Sequence, residues 1–247
     1  MLLLGLHAAT AAAQTEADSA ARVVDRFVRM TNIGAMSADS MVEAVTTVSI
    51  VGSTDTFTLR RWLAAPQMQR IEVWAGEQLQ TAYCTNGSTR YRMYKPDLGY
   101  WVDIEPEQLH DRLAGYDLRG PLYNWRSLGT ELTYEGWVTA ENRGRMQSVL
   151  VRTPGRYNRH YMFEPSGLLS VIIEDDDLDT TQYAPFEAAH IKWKLTHEYQ
   201  MAGSVMLPKA ETFMRHGRLT VMQTEARMVR KDELLFNSDN HGNTARP

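Results

Sequence analysis

Alternation of apolar and polar residues with a period of two runs through most of this chain and constrains its fold more than any other feature. In IKWKLTH, residues 191–197, apolar residues at odd positions alternate with lysines at even positions. The segments TDTFTLRRWLA and QRIEVWAG show the same alternation, which is typical of half-buried antiparallel strands. About a dozen strands are expected after Thr46, and that number predicts a strongly curved sheet or a barrel. The fold class is therefore mainly β with a few helices.

Three segments depart from this alternation and predict helices. Residues 15–30, TEADSAARVVDRFVRM, place apolar residues at helical spacing among charged ones, which indicates an amphipathic helix. The segment SADSMVEAV offers Ser37 as the N-cap of a second short helix, with Asp39 in its first turn. A third helical pattern over residues 105–116 interrupts the strands and divides them into two strand-rich halves.

The first residues favour export. MLLLGLHAATAAAQ is an apolar run that ends in an Ala-x-Ala motif at Ala11 and Ala13, as in a secretory signal and its cleavage site. No Lys or Arg precedes the run, so either the true start lies upstream or the run is a frayed apolar N-terminus. Export predicts a signal peptide over residues 1–13, one soluble periplasmic domain over 14–236 without a membrane anchor, and a flexible tail over 237–247.

Charge and cysteine content exclude several classes of function. The formal net charge of -4 gives no clustered basic surface for nucleic acid. The chain has one cysteine, Cys84, so it has no intramolecular disulfide, and no cysteine near the cleavage motif is available for lipid modification. In the strand pattern QTAYCTN this residue is expected to be a structural thiol rather than a nucleophile.

No active site or metal site emerges from the motifs. Ser88 and Ser204 each lie near a glycine but lack the G-x-S-x-G pattern of a hydrolase nucleophile. The closest pair of histidines in the sequence is His190 and His197. Seven residues apart on one strand, they are expected on opposite faces and form no compact ligand pair. The acidic run EDDDLD, residues 174–179, lacks the spacing of a calcium loop and indicates a solvated turn. We therefore expect no enzyme, no metal and no other cofactor.

Several short motifs in a fixed order resemble a known family. They are an Asn-Gly before an aromatic strand, a mid-chain Gly-Pro-Leu, a strand-turn-strand in YMFEPSGLLSVIIE, a hairpin in HEYQMAGSVMLPKAETF and a closing DELLF. Their order is similar to that of the periplasmic lipoprotein carriers, the LolA-like family, and of its lipoprotein-sorting relatives. The residues that carry the resemblance are Asn86, Gly87, Gly120, Pro121, Leu122, Gly167, Tyr199, Gly203, Leu207, Pro208, Asp232 and Phe236.

The resemblance implies a single unclosed antiparallel β-barrel, as in LolA and LolB, with helices that cover or plug its concave face. It also implies an apolar concave wall that accepts acyl chains. The expected ligand-binding residues are Phe57, Leu59, Ile71, Val73, Tyr91, Met93, Tyr100, Val102, Trp193 and Leu195. In the hairpin 91–104, where Pro96 and Gly99 favour a turn, the alternate residues are expected to face outward. These outward residues are Arg90, Arg92, Trp101 and Asp103.

Two functions follow from this interpretation. In the first, the chain is a periplasmic carrier that holds a lipid or the acyl part of a lipoprotein, with membrane-associated donor and acceptor proteins as partners. In the second, it is a structural or interaction module on the same scaffold, with helix 15–30 as a permanent plug. The carriers hold their lid with an arginine, and Arg60 and Arg61 are both candidates for that role.

Overall fold

A computed structural model describes residues 19–64, 67–86, 91–105, 117–120, 122–140, 143–154, 158–174, 191–215 and 217–236. Several sequence predictions lie outside the described residues. They are the signal peptide, the tail, the helix over 106–116, the acidic run beyond Glu174, and the roles of Gly87, Ser88, Arg90, Pro121 and His190.

The described residues form one α-helix, two 3-10 helices and thirteen strands. Helix α1 covers residues 19–31, and the 3-10 helices η1 and η2 are Ile33–Ala35 and Glu233–Phe236. The strands are β1 Ser40–Ile50, β2 Thr56–Ala64, β3 Met68–Ala75, β4 Gln78–Asn86, β5 Tyr91–Lys95, β6 Tyr100–Ile104, β7 Glu131–Ala140, β8 Gly144–Arg152, β9 Arg159–Phe163, β10 Leu169–Glu174, β11 Ile191–Ala202, β12 Val205–Arg215 and β13 Arg218–Arg230. None of the described helices is long and apolar enough to span a membrane.

All thirteen strands belong to one antiparallel sheet with the order β6-β5-β4-β3-β2-β1-β13-β12-β11-β10-β9-β8-β7. Strands β1–β6 and β7–β13 are two meanders, here called the N-terminal half and the C-terminal half. They join where β1 pairs with β13, from Ser40 opposite Arg230 to Ile50 opposite Thr220. Strands β6 and β7 are the two edges, so the sheet is open. This architecture confirms the predicted unclosed antiparallel half-barrel.

Helix α1 lies on one face of the C-terminal half, and we call this side of the whole sheet the inner face. Val23, Val24 and Phe27 of the helix are buried in a cluster with side chains from β8, β9 and β10. The ring of Phe27 meets that of Phe163 edge to face at 5.8 Å between centroids. Each fully buried apolar side chain contributes about 1.5–3 kcal/mol, so this contact stabilises the helix on the sheet. The described part of the predicted amphipathic helix is confirmed.

The opposite, outer face of the N-terminal half is covered by the C-terminal 3-10 helix η2. Asp232 precedes the helix and accepts a hydrogen bond from the backbone N–H of Leu234 at 3.0 Å. Phe236 then enters a buried cluster that includes Trp62 and Trp101. Trp101 faces outward, as the sequence predicted, and it is buried because η2 and the neighbouring side chains cover it.

The predicted second helix is wrong, because its residues form strand β1. Ser37 does cap a turn: its hydroxyl accepts a hydrogen bond from the N–H of Asp39, and its carbonyl accepts one from Ser40. From Ser40 onward the segment is rich in β-branched residues and buries alternate side chains, Val42 among them. A turn signal therefore precedes a strand instead of a helix.

Candidate ligand-binding face

Eight of the ten predicted wall residues share the inner face of the N-terminal half. The strand register places Leu59 opposite Val73 and Met93 opposite Val102, and side chains on opposed residues of paired strands share a face. Leu59, Ile71 and Met93 are buried, whereas Tyr100 is 53% exposed at the sheet edge. The eight residues on this face are Phe57, Leu59, Ile71, Val73, Tyr91, Met93, Tyr100 and Val102.

The remaining two, Trp193 and Leu195, lie on the outer face, so their predicted place in the inner wall is wrong. Their neighbour Lys194 is opposite Phe213 and lies on the inner face instead. A lysine is tolerated there because its ammonium pairs with Glu211 at 2.6 Å. The period-two pattern separates the two faces correctly but does not say which of them is inside.

A buried polar cluster occupies the middle of the inner face, where the two halves join. The Arg61 guanidinium donates to the hydroxyl of Thr224 at 3.2 Å and to that of Thr46. The two threonine hydroxyls also bond each other at 2.8 Å. Lys194 and Glu211 lie beside them and line the same cavity as Arg61. We call these five residues the central polar cluster.

The structure distinguishes the two arginines that the sequence left open. Arg60 points to the outer face, where its guanidinium lies 5.2 Å from the centroid of the Trp74 ring. Arg61 is on the inner face and only 4% exposed. It lines a cavity together with Phe27 and Thr31 of α1. Arg61 is therefore the arginine placed to interact with the covering helix.

The cavity between α1, the turn at residues 117–120 and the central polar cluster has a volume of about 50 Å³. That volume accommodates one or two water molecules but no acyl chain. Its walls mix apolar side chains, such as Leu169 and Ile172, with the charged groups of the cluster. Access for a larger ligand at this position requires displacement of α1 or of the turn.

The ion pair that joins α1 to other described residues involves Asp25. Arg126 donates to the Asp25 carboxylate at 2.6 Å, and Trp125 donates to it at 3.4 Å. The hydrogen bond from Arg126 lowers the pKa of Asp25 below its ordinary value. Beyond the helix, the Asn32 amide donates to the Ser204 carbonyl at 3.1 Å. Apolar packing therefore supplies most of the attachment, and these contacts fix the position of the helix.

The connection between the halves is tied to the N-terminal half. Asp117 and Arg119 form an ion pair at 2.7 Å, and Gln69 donates to the Asp117 carboxylate at 3.1 Å. Gln69 is only 2% exposed on the inner face. Sequence reasoning missed Gln69 and Glu211, although one signal was present. Each is a polar residue at a position where the alternation calls for an apolar one, two residues before Ile71 and Phe213 respectively.

Two further reactive side chains, the buried Cys84 and the half-buried Tyr199, are hydrogen-bonded. Burial raises the pKa of the Cys84 thiol to about 11, and its sulfur donates to the Phe236 carbonyl, which agrees with the structural role predicted for it. Burial also raises the pKa of Tyr199, whose hydroxyl donates to the Leu169 carbonyl at 2.6 Å. Within the described ranges, no group of three or more His, Cys, Asp or Glu residues is placed to hold a metal ion.

Solved structures with the same fold are found at low sequence identity. A DUF1329 family protein from Desulfovibrio piger is 13% identical with a TM-score of 0.60, over 89% of this chain and 98% of the other. A LolA superfamily protein from Nitrosomonas europaea is 10% identical with a TM-score of 0.60, over the same shares. A putative outer membrane lipoprotein-sorting protein domain from Vibrio parahaemolyticus is 10% identical with a TM-score of 0.54, over 87% and 98%.

These structures share the fold of this chain over nearly their whole length. No protein-family model matches the sequence, and the curated proteins give no match. The resemblance to the LolA-like scaffold, inferred above from short motifs in order, is thus supported by the three-dimensional fold.

Proposed function

We propose that this protein is a periplasmic binding protein that holds a lipid, or the acyl chains of a lipoprotein, on the inner face of its half-barrel. In this proposal α1 is a movable cover, and membrane-associated donor and acceptor proteins load and unload the ligand. The fold of lipoprotein-sorting proteins supports a carrier scaffold. The exported location in this proposal rests on the apolar run and the Ala-x-Ala motif of residues 1–13.

One observation carries the proposal: an amphipathic helix covers an apolar inner face by packing, and a single ion pair joins it to the other described residues. Phe27 and Val24 bury their side chains against the sheet, while Asp25 forms the ion pair with Arg126. An acyl chain gains about 0.8 kcal/mol for each CH₂ removed from water. A chain of ordinary length therefore offsets the loss of the helix contacts, so exchange of helix for ligand is energetically feasible.

A plugged scaffold that binds a protein partner is the second candidate, and the cavity favours it. A space of about 50 Å³ beneath α1 is closed to acyl chains in this conformation. If α1 never leaves the sheet, the inner face is simply a core, and function resides on the outer surface or an edge strand.

Lipid analysis of the protein as it is exported tests the proposal. We expect native mass spectrometry of detergent-free protein to show a stoichiometric adduct that organic extraction identifies as a lipid or an acylated peptide. The variant Val73→Glu places a charge on the inner wall and should abolish uptake of a fluorescent acyl probe. Gln80→Glu, on the outer face of the neighbouring strand, is the matched control. A bare mass and no uptake would instead support the plugged scaffold.

A further inference from the structure

The outer face of the C-terminal half carries an open apolar groove with a volume of about 350 Å³. Its apolar wall comes from four strands and consists of Val138, Met162, Val171, Ile173 and Leu195. Ile173 is 38% exposed, and Trp193 lies opposite it on the neighbouring strand. The outer face of the N-terminal half is covered by η2, whereas no described element covers this groove.

Apolar side chains on this face need an explanation. An antiparallel sheet with one solvated face normally carries polar residues there. Here the alternation of β10 and β11 sends Ile172 and Lys194 inward and leaves the apolar neighbours outside. The volume of the groove lies at the lower end of the range for small-molecule sites. A wall of this kind is typical of a binding groove.

Arg143 lies at one end of the groove and is held in a fixed orientation. One terminal nitrogen, Nη1, donates to the Thr196 carbonyl at 2.8 Å and to the Ser170 hydroxyl. The other, Nη2, donates to Nδ1 of His197 at 2.9 Å, and Nε2 of that imidazole is 2.9 Å from the Thr212 hydroxyl. Burial and the Arg143 charge lower the pKa of His197, which favours the neutral imidazole that accepts this hydrogen bond.

Among the described residues, no acid forms an ion pair with Arg143. All its hydrogen bonds to described residues go to a carbonyl, a hydroxyl and an imidazole. Its Nε–H and the second N–H of Nη2 are not used in these contacts. A guanidinium with unused N–H donors can pair with the two oxygens of a carboxylate.

The other end of the groove has the opposite character. His160 lies opposite Ile173 on the paired strand, and its Nδ1 is 2.8 Å from the Glu135 carboxylate. Glu135 also accepts a hydrogen bond from Ser148 at 2.7 Å. An anionic head is therefore attracted to the Arg143 end and repelled by the Glu135 end, which fixes the orientation of a ligand.

We propose that this outer groove binds a single-chain anionic amphiphile, a fatty acid, with its carboxylate on Arg143. Its hydrocarbon chain lies over Leu195 and Val171 toward Ile173. The Arg143 guanidinium matches one carboxylate, and the narrow apolar wall matches one hydrocarbon chain. A second copy of this protein, or another protein, would bring a surface broader than this groove. This site is separate from the inner face and does not depend on movement of α1.

Calorimetric titration of the full chain with dodecanoate below its micellar concentration tests the proposal. We expect Arg143→Gln and Leu195→Gln each to weaken binding at least tenfold, and Arg143→Lys, which keeps the charge but loses the paired donors, to weaken it less. Arg227→Gln, at an exposed ion pair with Glu43 on the outer face, should leave affinity unchanged. Dodecanol, which lacks the carboxylate, should bind equally to wild type and Arg143→Gln. Circular dichroism identifies any variant that does not fold.

The inner-face variant Val73→Glu separates this proposal from the carrier function. Retained dodecanoate binding in Val73→Glu supports the outer groove even if the inner face binds nothing. Binding that is lost in Val73→Glu but unchanged in Arg143→Gln overturns the outer site and leaves only the inner one. Absence of dodecanoate binding also overturns the outer-groove proposal. A concentration-dependent dimer that Leu195→Gln disrupts overturns it as well, because the occupant of the groove is then a second copy of the protein.

Discussion

The two halves of the sheet are built alike as antiparallel meanders, yet α1 and η2, which pack on them, lie on opposite faces. In the C-terminal half, α1 packs on the inner face and the outer face holds an open groove. In the N-terminal half, η2 packs on the outer face, around Phe236. A strand in an open half-barrel therefore has no fixed buried side, because the terminal segments of the chain decide which face is closed.

The elements that cover the two halves, η2 and α1, also differ in the ion pairs that lie beneath or beside them. On the outer face of the N-terminal half, Arg70 and Glu72 form a fully buried ion pair, which Trp74 and the Leu235 carbonyl complete with hydrogen bonds. In the C-terminal half, the ion pair between α1 and the other described residues joins Asp25 to Arg126, whose side chains are 26% and 63% exposed. Buried charges thus lie beneath η2, whereas the ion pair of α1 with the other described residues is partly exposed.

Breaking the buried pair should produce the largest effect. Arg70 and Glu72 are 3% and 1% exposed and 2.6 Å apart, so Glu72→Ala leaves an uncompensated guanidinium in the interior. We expect a loss of about 3–5 kcal/mol in the free energy of unfolding, measured by urea denaturation. Glu198→Ala breaks a pair with Lys209 whose side chains are 54% and 44% exposed, and it should cost about 0–1 kcal/mol. Equal effects would show that the N-terminal half is open to water.

The second effect concerns the thiol beneath η2. Burial raises the pKa of Cys84 from 9.0 to about 11, so the folded state holds this proton more tightly than the unfolded state. Its contribution is present below pH 9 and is lost as pH rises toward 11. One pKa unit corresponds to about 1.4 kcal/mol, so the loss should be about 2–3 kcal/mol. The difference in unfolding free energy between wild type and Cys84→Ala should shift by that amount across this interval.

The control for the thiol prediction is the same pair of proteins below pH 8, where their difference should be constant. Alkylation by iodoacetamide gives an independent measure, since native Cys84 should react slowly until the pH approaches 11. Rapid alkylation at pH 8 would show that η2 opens readily. In that case the N-terminal half would be covered as loosely as the proposal requires for α1.

These contrasts explain how much of the molecule was predictable from its sequence. The period of two fixed the two faces of nearly every strand, and the helical period of residues 15–30 identified α1. Which face of β11 points inward was not predictable from the sequence. Lys194 is tolerated on the inner face because it pairs with Glu211, which is distant in the sequence but lies on the neighbouring strand β12. Ser37 misled for a local reason, since a serine stabilises a turn before a strand as well as a helix.

A third prediction tests how tightly α1 fits against the turn between β9 and β10. Gly167 has a φ of +97° there, and a Cβ at this position would lie 2.7 Å from Nε of Arg26 and 3.0 Å from Sδ of Met30. Gly167→Ala should cost about 2 kcal/mol, from backbone strain and from displacement of these side chains. Gly52→Ala has a φ of +82° in open space, so it should cost about 1 kcal/mol. Equal losses in thermal unfolding would show that α1 does not press on this turn.

The smallest effect on stability belongs to the pair that holds α1. The hydrogen bond from Arg126 lowers the pKa of Asp25, so the pair stabilises the folded state above the ordinary carboxyl pKa and loses its effect as pH falls through the lowered value. Because Arg126 is 63% exposed, Asp25→Asn should cost only about 0.2–1 kcal/mol at pH 7. The difference from wild type should vanish in acid, whereas Asp97→Asn in an exposed turn should have no effect at either pH.

The same substitution should have a much larger effect on ligand exchange than on stability if α1 is a cover. Weakening the Asp25 attachment favours the displaced helix, so Asp25→Asn should take up an acyl probe faster than wild type, as stopped-flow fluorescence would show. Arg126→Gln should accelerate uptake equally, and the double variant should add nothing, because both changes remove one interaction. If no acyl probe enters either variant although both unfold slightly more easily, α1 is a permanent plug, and the two halves differ only in which face forms the core.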